Sequence, residues 1–594
     1  MGAPFSMSET PVQGRTLKVT VLLLFITLLA TALRFYQLGT DSLWLDEIWN
    51  TVHAQKEVVS IPASLRESGA HPPLWHLLSH FTLYLGQSEF ILRFPAALIG
   101  ILSIPLIYVV GRRLFGREVG LLASFLLTIS PFHLQYSQEA RMYTAMLLFS
   151  LFSLYFLWRA LERSEKGLWI GFILSTLLNI YNTYFAFLVL ISEAVFALVV
   201  AGTKSRPGKV KGVKRSFGSW FQAFFSSPQV RGLALSLIVV GLLYLPWLPV
   251  AKVNLLERQS AREETSGANV AVSLSLILRL VADFSLDDKG LPFLIFVGAF
   301  LMGFFDLILS SRWRELLLVI LWVAPPLVIV ALSGGVRKFH SRYVFYVLPI
   351  YLILVAGGPV SLFQLIYRFD KRLGNLEKRS LIGCALIVVT FGALSIVPVR
   401  EYYAWEKEDW RGGARYLADH MGPSDVILCD GGMYGRGGDS GRCVRGLTYY
   451  LSESFQDRHT LATDRNIPQK IKNQAAKARA VWIVFWHGKP LSEGARDTSQ
   501  TLSQSAEFER VLVTRVGEGE NLVENTISAL KTLIELQRRS EARFDLHLSL
   551  AKIYAWQGDF ERAQQALAAA KEVQPHDFTA RARLKRISSG LQVE

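Results

Sequence analysis

From Leu17 to about Pro398 the chain is a succession of apolar runs, many near the ~20 residues that cross the hydrocarbon of a bilayer, separated by short polar stretches. This pattern predicts an all-α polytopic membrane domain over residues 1–398. The runs fall near 17–38, 93–111, 119–135, 142–160, 168–182, 184–202, 231–250, 291–310, 315–333, 344–364 and 380–398, about eleven spans. The first is too long for the apolar core of a typical signal peptide, lacks a small-residue cleavage site and is followed by further spans, so it reads as the first helix. A shorter run at 71–86 carries His71, His76 and His80 and is either a twelfth span or a helix lying at the interface.

Charge arbitrates between the two. With a cytoplasmic N-terminus and an interfacial 71–86, the inward loops contain Arg112, Arg113 and Arg117, then Arg159, Arg163 and Lys166, and later the dense basic stretch 204–215 and the pair Arg312 and Arg314. Every such loop is basic, as the positive-inside tendency requires. A crossing 71–86 would invert all of them, so the interfacial reading is preferred. The outward segments are then 39–92, 136–141, 251–290, 333–343 and everything after Pro398.

The tail changes character. Residues 407–420 read as the start of a helix, 425–429 as a strand, 431–441 as a glycine-rich stretch, and 480–486 and 511–516 as further strands, which predicts a small extracytoplasmic α/β domain at 399–520. Residues 521–594 are helical by period. Leu550, Ala551, Tyr554, Ala563, Leu567, Ala570 and Pro575 sit at the offsets of one tetratricopeptide unit, with His547 at the usual first Trp position. A single TPR-like hairpin is either packed on the domain before it or docks a protein partner.

Composition agrees with this division. Of 594 residues 51% are hydrophobic and 19% charged, and the mean hydropathy of +0.30 excludes a disordered or fibrous chain. The formal charge of +15 would suit nucleic acid, but the inward loops account for much of it, and no nucleic-acid partner is expected. Three cysteines, Cys384, Cys429 and Cys443, are too few for a disulfide framework or a zinc ribbon; Cys429 and Cys443 pair if the tail lies in an oxidising compartment.

Candidate chemistry gathers in the outward loops. The first contains Asp41, Trp44, Asp46, Glu47 and Trp49 in the run DSLWLDEIW. Two adjacent carboxylates are costly against lipid, and in the simplest case they are merely solvated. The flanking tryptophans anchor the stretch at the headgroup level, where a carboxylate meets a group carried on a lipid. Next comes His71-Pro72-Pro73, whose prolines suit a helix start with open amides behind them. The third cluster, Gln138, Glu139, Arg141 and Tyr143, lies at the end of a span, where an arginine either snorkels or binds. The fourth, Arg337, Lys338, His340, Arg342 and Tyr343, places basic residues on the side that the positive-inside tendency leaves poor in them, which points to an anionic partner such as phosphate.

The ordered set SLWLDEIW, HPPLW, LRFPAALIGILSIPLIYVVGRRLFG, SQEARMY and SRYVFYVLP, over about residues 17–365, resembles the GT-C membrane glycosyltransferases, especially the bacterial branch related to protein O-mannosyltransferases and aminoarabinose transferases. KEDWRGGARYLA at 407–418 resembles the entry to the soluble domain of some bacterial members. The resemblance implies a multi-pass protein of the cytoplasmic membrane that transfers a sugar from a polyprenyl-phosphate donor to a protein, lipid or glycan acceptor at the outer face, with inversion. It implies Asp46 as the acid that receives the acceptor proton, with Glu47 as its neighbour and Trp44 beside them. It further implies His71, Arg141, Arg342 and Tyr343 near the donor phosphate, and Glu139 in the cavity at a position where some relatives carry Asp.

That chemistry is physically coherent. A hydroxyl is a weak nucleophile that a nearby carboxylate assists by accepting its proton, and a departing phosphate gains charge that positioned Arg or His donors stabilise. No P-loop or dinucleotide fingerprint is present, since the glycines at 431–441 lack a following Gly-Lys-Ser/Thr. Some members of the wider class use a divalent metal and others do not, and the DE pair is compatible with both. Segment 251–290, with Arg258, Arg262, Asp283, Asp287 and Asp288, is either a cover for the cavity or a solvated connection. A transporter or lipid flippase with a regulatory tail is the competing class, for which Glu193 inside a span is the best argument, and a scaffold that docks partners through its tail is a third.

Overall fold

The structure, a computed structural model, describes residues 10–68, 71–204, 217–253, 278–286, 290–332, 340–369, 376–405, 407–422, 425–430, 442–452, 460–462, 480–486, 505–508, 511–518 and 559–573, with isolated helical positions between 527 and 554. The chain divides into two units, Met1–Leu38 with His53–Trp405, and Gly39–Val52 with Glu406–Glu594.

The helices run in order α1 (Thr10–Phe35), α2 (Leu45–Ala54), α3 (Ser60–Ser68), α4 (Leu74–Leu83), α5 (Glu89–Phe115), α6 (Arg117–Ile129), α7 (Pro131–Ser137), α8 (Tyr143–Arg163), α9 (Lys166–Asn182), α10 (Ala186–Lys204), α11 (Phe217–Ser226) and α12 (Pro228–Tyr244). Helices Gly290–Leu309, Trp313–Leu332, Leu348–Phe369 and Leu376–Ala404 complete the first unit, with a 3₁₀ stretch Ser341–Val347 leading into the third of them. Among the described residues eight helices are long and apolar enough to cross a membrane, or nine if α6 and α7, bent by 62° at Ser130, count as one. The protein is a multi-pass integral membrane protein. The sequence pattern gives about eleven spans. The two runs outside the structural count, near 168–182 and 315–333, do form helices, α9 with 17 residues and Trp313–Leu332 with 20. The run at 71–86 yields only α4, whose ten residues rise ~15 Å, half the hydrocarbon thickness.

Burial within this unit reverses the habit of soluble helices. On α12 Leu235, Ile238, Leu242 and Leu243 face outward, while Ser236 is buried with its hydroxyl donating to the Gly232 carbonyl at 2.8 Å. An apolar exterior of this kind is stable against lipid tails and not against water. Small residues set the closest helix crossings: a Cβ at Gly303 would overlap the Leu354 carbonyl, and one at Gly358 the Ala299 carbonyl, so helices Gly290–Leu309 and Leu348–Phe369 touch backbone to backbone. Glu193 on α10 accepts a hydrogen bond from Ser153 on α8, and nearby Asn179 donates to Ser150 at 2.8 Å. The carboxyl that most favoured a transporter thus lies in a polar seam between packed helices.

The bend between α6 and α7 has an identifiable cause. Pro131 cannot donate a backbone hydrogen bond, and Ser130 caps the new helix by accepting from the His133 amide at 3.3 Å. The carbonyls that α6 leaves open at Leu127 and Thr128 accept from the Arg34 guanidinium at 3.1 and 3.3 Å. Arg34 also donates to His133 Nδ1 at 2.7 Å. The two terminal nitrogens of a fully buried arginine thereby find acceptors at the negative end of a helix.

In the second unit, helix Trp410–His420 begins at Asp409, whose carboxylate accepts from the Gly412 amide at 2.8 Å. Strands β1 (Val426–Asp430), β2 (Thr460–Ala462), β3 (Ala480–Trp486), β4 (Ser505–Phe508) and β5 (Val511–Glu518) form one sheet in the order β2-β1-β3-β5-β4. β1 runs parallel to β2 and β3, and β5 antiparallel to β3 and β4. The fully buried Trp482 on β3 donates to Asp425, just before β1, at 2.8 Å. Helix Phe560–Val573 buries Ala563, Ala566, Leu567 and Ala570, and Leu550, Ala551 and Tyr554 are buried before it. Pro575 and the glycine-rich 431–441 lie outside the described residues, as do the side chains of Cys429 and Cys443.

Candidate active site

In the membrane unit the motif clusters converge from three elements. α4 opens directly after His71-Pro72-Pro73, and its buried Trp75 donates from the indole to the Ala140 carbonyl at 3.1 Å, tying this helix to the Gln138–Arg141 turn. That turn joins α7 to α8 and is tight, with the Arg141 amide 2.6 Å from the Glu139 carbonyl. Gln138 anchors it by donating to the carbonyls of Arg34 (3.0 Å) and Tyr36 (2.7 Å) and accepting from the Tyr402 hydroxyl (2.6 Å). Gln135 donates to Glu139 at 3.2 Å. Glu139 and Arg141 are 3% and 5% exposed.

Arg342 enters from the 3₁₀ stretch. Ser341 donates to Asp283, and Tyr343 stacks on Phe185 with centroids 4.9 Å apart, so the residues on both sides of Arg342 are held. The guanidinium of Arg342 stands 5.8 Å from the centre of the Tyr143 ring and 5.6 Å from that of Tyr343, and the guanidinium of Arg141 stands 5.9 Å from the same Tyr143 ring. Two arginines thus share one aromatic face-bearing residue, itself packed on Tyr136 at 4.9 Å.

The histidines beside them are held neutral. Burial first, then the positive charge of Arg141, depresses His76 to about 3. Burial, followed by Arg141, His76 and Arg342, holds His71 well below the usual imidazole range. His71 therefore offers a neutral donor, while the fixed positive charge belongs to the arginines.

The second unit carries the paired acids. Trp44 starts α2, its carbonyl accepting from the amides of Glu47 (2.9 Å) and Ile48 (3.0 Å). Glu47 Oε2 returns to accept from the Trp44 amide at 3.2 Å, the reciprocal half of a capping box. Glu47 is fully buried and Asp46 only partly, so the two adjacent carboxylates have separate environments. His71, Glu139, Arg141, Arg342 and Tyr343 come together in the first unit, and Trp44, Asp46 and Glu47 in the second. Arg337, Lys338, Arg258, Arg262, Asp287 and Asp288 lie outside the described residues. Among the described residues no group of three or more His, Cys, Asp or Glu side chains converges as a metal would require.

The sequence places Gln138 and Tyr143 in its third cluster and Trp75 in HPPLW without marking a role for any of the three. Sequence reasoning passed over Arg34 altogether; the available signal was a charge inside an apolar run.

Residues 70–213, about a quarter of the chain, match the sequence model of the family described as dolichyl-phosphate-mannose-protein mannosyltransferase. That stretch contains His71, Glu139, Arg141 and Tyr143. ArnT from Cupriavidus metallidurans in the apo state matches the fold with a TM-score of 0.50 at 14% identity, over 84% of this chain and 98% of that one. The chain shares the fold of ArnT, and its residues 70–213 carry the mannosyltransferase family pattern. The same Cupriavidus protein bound to undecaprenyl phosphate gives a TM-score of 0.49 at 13% identity over 85% and 98% of the two chains. The Archaeoglobus fulgidus oligosaccharyltransferase in the apo form gives 0.47 at 12% identity over 81% and 71%. Comparison with curated protein sequences gives no match. The paired arginines suit a phosphate group.

Proposed function

We propose that the protein is a GT-C membrane glycosyltransferase that moves a sugar from a polyprenyl-phosphate carrier to a hydroxyl of a protein, lipid or glycan acceptor at the outer face of the cytoplasmic membrane, with inversion at the anomeric carbon. The observation that carries this reading is the pair of guanidiniums on Tyr143, flanked by two neutral histidines in a nearly water-free turn. Such a pair offers forked donors to phosphate oxygens, and burial raises the strength of each interaction.

In this reading Asp46 accepts the proton of the acceptor hydroxyl as its oxygen attacks the anomeric carbon. The bond from that carbon to the bridging phosphate oxygen breaks, and the carrier leaves as polyprenyl phosphate. Arg141 and Arg342 stabilise the charge that collects on the departing phosphate, His71 donates a hydrogen bond to it, and Tyr143 and Tyr343 hold the guanidiniums in place. Glu47 fixes the first turn of α2, so that Asp46 is the acid left for chemistry. The domain reading that accompanies this is a membrane transferase domain over 1–398, with 39–92 as its first outer loop, an extracytoplasmic α/β domain over 399–520 and a TPR-like hairpin over 521–594. The basic loops of the sequence support the assignment of sides.

The test is an assay of purified protein with labelled polyprenyl-phosphate sugars and candidate acceptors. Transfer by wild type and its loss in Asp46→Asn are expected; equal transfer by both removes Asp46 as the base. Single cysteines at Asp46, Arg141 and in the tail should be labelled from outside the cell, and labelling from the cytoplasm alone overturns the orientation.

A further inference from the structure

The stretch that delivers the paired acids is built into the soluble unit. Three of its residues, Thr40, Ser42 and Leu43, are hydrogen-bonded to residues roughly 370 to 410 places later in the chain. The Arg411 guanidinium donates to the Thr40 carbonyl at 2.6 Å. The Leu43 amide donates to the Tyr450 hydroxyl at 2.7 Å. Between them Ser42 is buried, its hydroxyl donating to the Glu408 carbonyl and accepting from the Trp410 amide at 3.1 Å.

The partners are themselves rigid. Trp410 is fully buried, its indole donates to the Glu408 carboxylate at 2.8 Å, and a Cβ on Gly446 would overlap its ring, so helix Trp410–His420 lies closely against helix Arg442–Tyr450. One helix supplies the Trp410 amide and Arg411, the other Tyr450. Together they hold the chain up to the residue before Trp44, where α2 begins and Glu47 closes its first turn. A loop that merely connected two helices would need none of this. Buried Ser42 and the backbone hydrogen bonds on its two flanks determine the direction in which the first turn of α2 leaves, and hence where the Asp46 carboxylate stands.

We infer that Ser42 and Tyr450 are positioning residues for the transfer reaction, and that the soluble unit, through helices Trp410–His420 and Arg442–Tyr450, sets the placement of the Asp46 carboxylate. The inference rests on Asp46 as the base. It makes the tail an integral part of the catalytic apparatus.

The experiment uses full-length purified transferase carrying Tyr450→Phe, which removes only the hydroxyl that receives the Leu43 amide, and separately Ser42→Ala. Each is expected to lower kcat about tenfold while the KM for the lipid donor stays at its wild-type value. In an Asp46→Asn background, where residual turnover is slow, neither substitution should cost anything more, because both act through the carboxylate already removed. Values of kcat within twofold of wild type in both single variants, or losses that multiply with that of Asp46→Asn, overturn the inference. If Ser42→Ala does not accumulate as folded protein, Tyr450→Phe decides alone. The two readings fail differently: an Asp46→Asn enzyme as active as wild type removes the base assignment, whereas an inactive Asp46→Asn beside unaffected Tyr450→Phe and Ser42→Ala removes the positioning role only.

Discussion

Gln138 donates from its amide to the backbone carbonyl of Arg34 at 3.0 Å, while the Arg34 side chain donates to the carbonyls that end α6. The last turn of α1 is therefore tied to the helix break that Arg34 itself closes, and the turn bearing Glu139 and Arg141 begins at this joint. Membrane interiors punish open carbonyls, so the joint holds only while both side chains are in place.

Replacing Arg34 by Met leaves the Leu127 and Thr128 carbonyls without donors, a loss of ~2–4 kcal/mol. The thermal midpoint of the purified protein should fall by several degrees and transfer activity with it. Arg34→Lys, which keeps the charge but cannot reach all the acceptors, should lie between the two. An unchanged midpoint in Arg34→Met would show that the bend stands without its cap.

Arg141→Ala and Arg342→Ala each remove half of the guanidinium pair. Donor affinity should fall on the order of thirtyfold in each, about 2 kcal/mol, measured as the KM for the polyprenyl-phosphate sugar. Tyr143→Phe keeps the ring face and should stay within about twofold of wild type, while Tyr143→Leu should lose about threefold from the missing cation–π contact. Equal effects of Phe and Leu would mean that the ring serves only as filler.

His76 is held uncharged in the folded protein at about 3, far below the imidazole value in an unfolded chain. Above pH 6.5 both states are neutral there and the residue contributes no pH dependence. As pH falls below 6.5 the unfolded chain takes up a proton that the folded one refuses, so stability drops, by ~2 kcal/mol at pH 5. Thermal melts between pH 7.5 and 5 should show this decline in wild type and a shallower one in His76→Asn. Parallel curves would contradict the buried neutral histidine.

The adjacent acids should separate by phenotype. Asp46→Asn is expected to reduce kcat by about a hundred- to ten-thousandfold with little change in the thermal midpoint. Glu47→Ala removes an internal cap and should cost ~1 kcal/mol of stability, with Glu47→Gln, which still accepts from the Trp44 amide, recovering most of it. Loss of turnover in Glu47→Gln at an unchanged midpoint would place Glu47 in the chemistry instead.

Much of the membrane unit was legible because lipid leaves so little choice. Long apolar runs became helices, and the motifs HPPLW, SQEARMY and SRY supplied the side chains that gather at Tyr143. The bend at Ser130 was less legible, since apolar residues continue through it and only Ser-Pro marks the change of direction. The different fates of Asp46 and Glu47 could not be read from two neighbouring carboxylates; a three-residue return to Trp44 separates them. Nor does any periodicity announce that Thr40, Ser42 and Leu43 hydrogen-bond to residues 408–450, because such pairings depend on how distant segments fold together.

The backbone contact at Gly303 and Gly358 has a bearing on how an anion is met. Helix Leu348–Phe369 follows directly on the 3₁₀ stretch of Arg342, which kinks at Val344, and where two main chains touch directly no side chains remain to act as a sliding layer. Arg342 is therefore carried on a locked pair of helices. The entropy of holding its guanidinium is lost when the protein folds, so binding energy from a lipid phosphate is left to act on the substrate and not on ordering the enzyme.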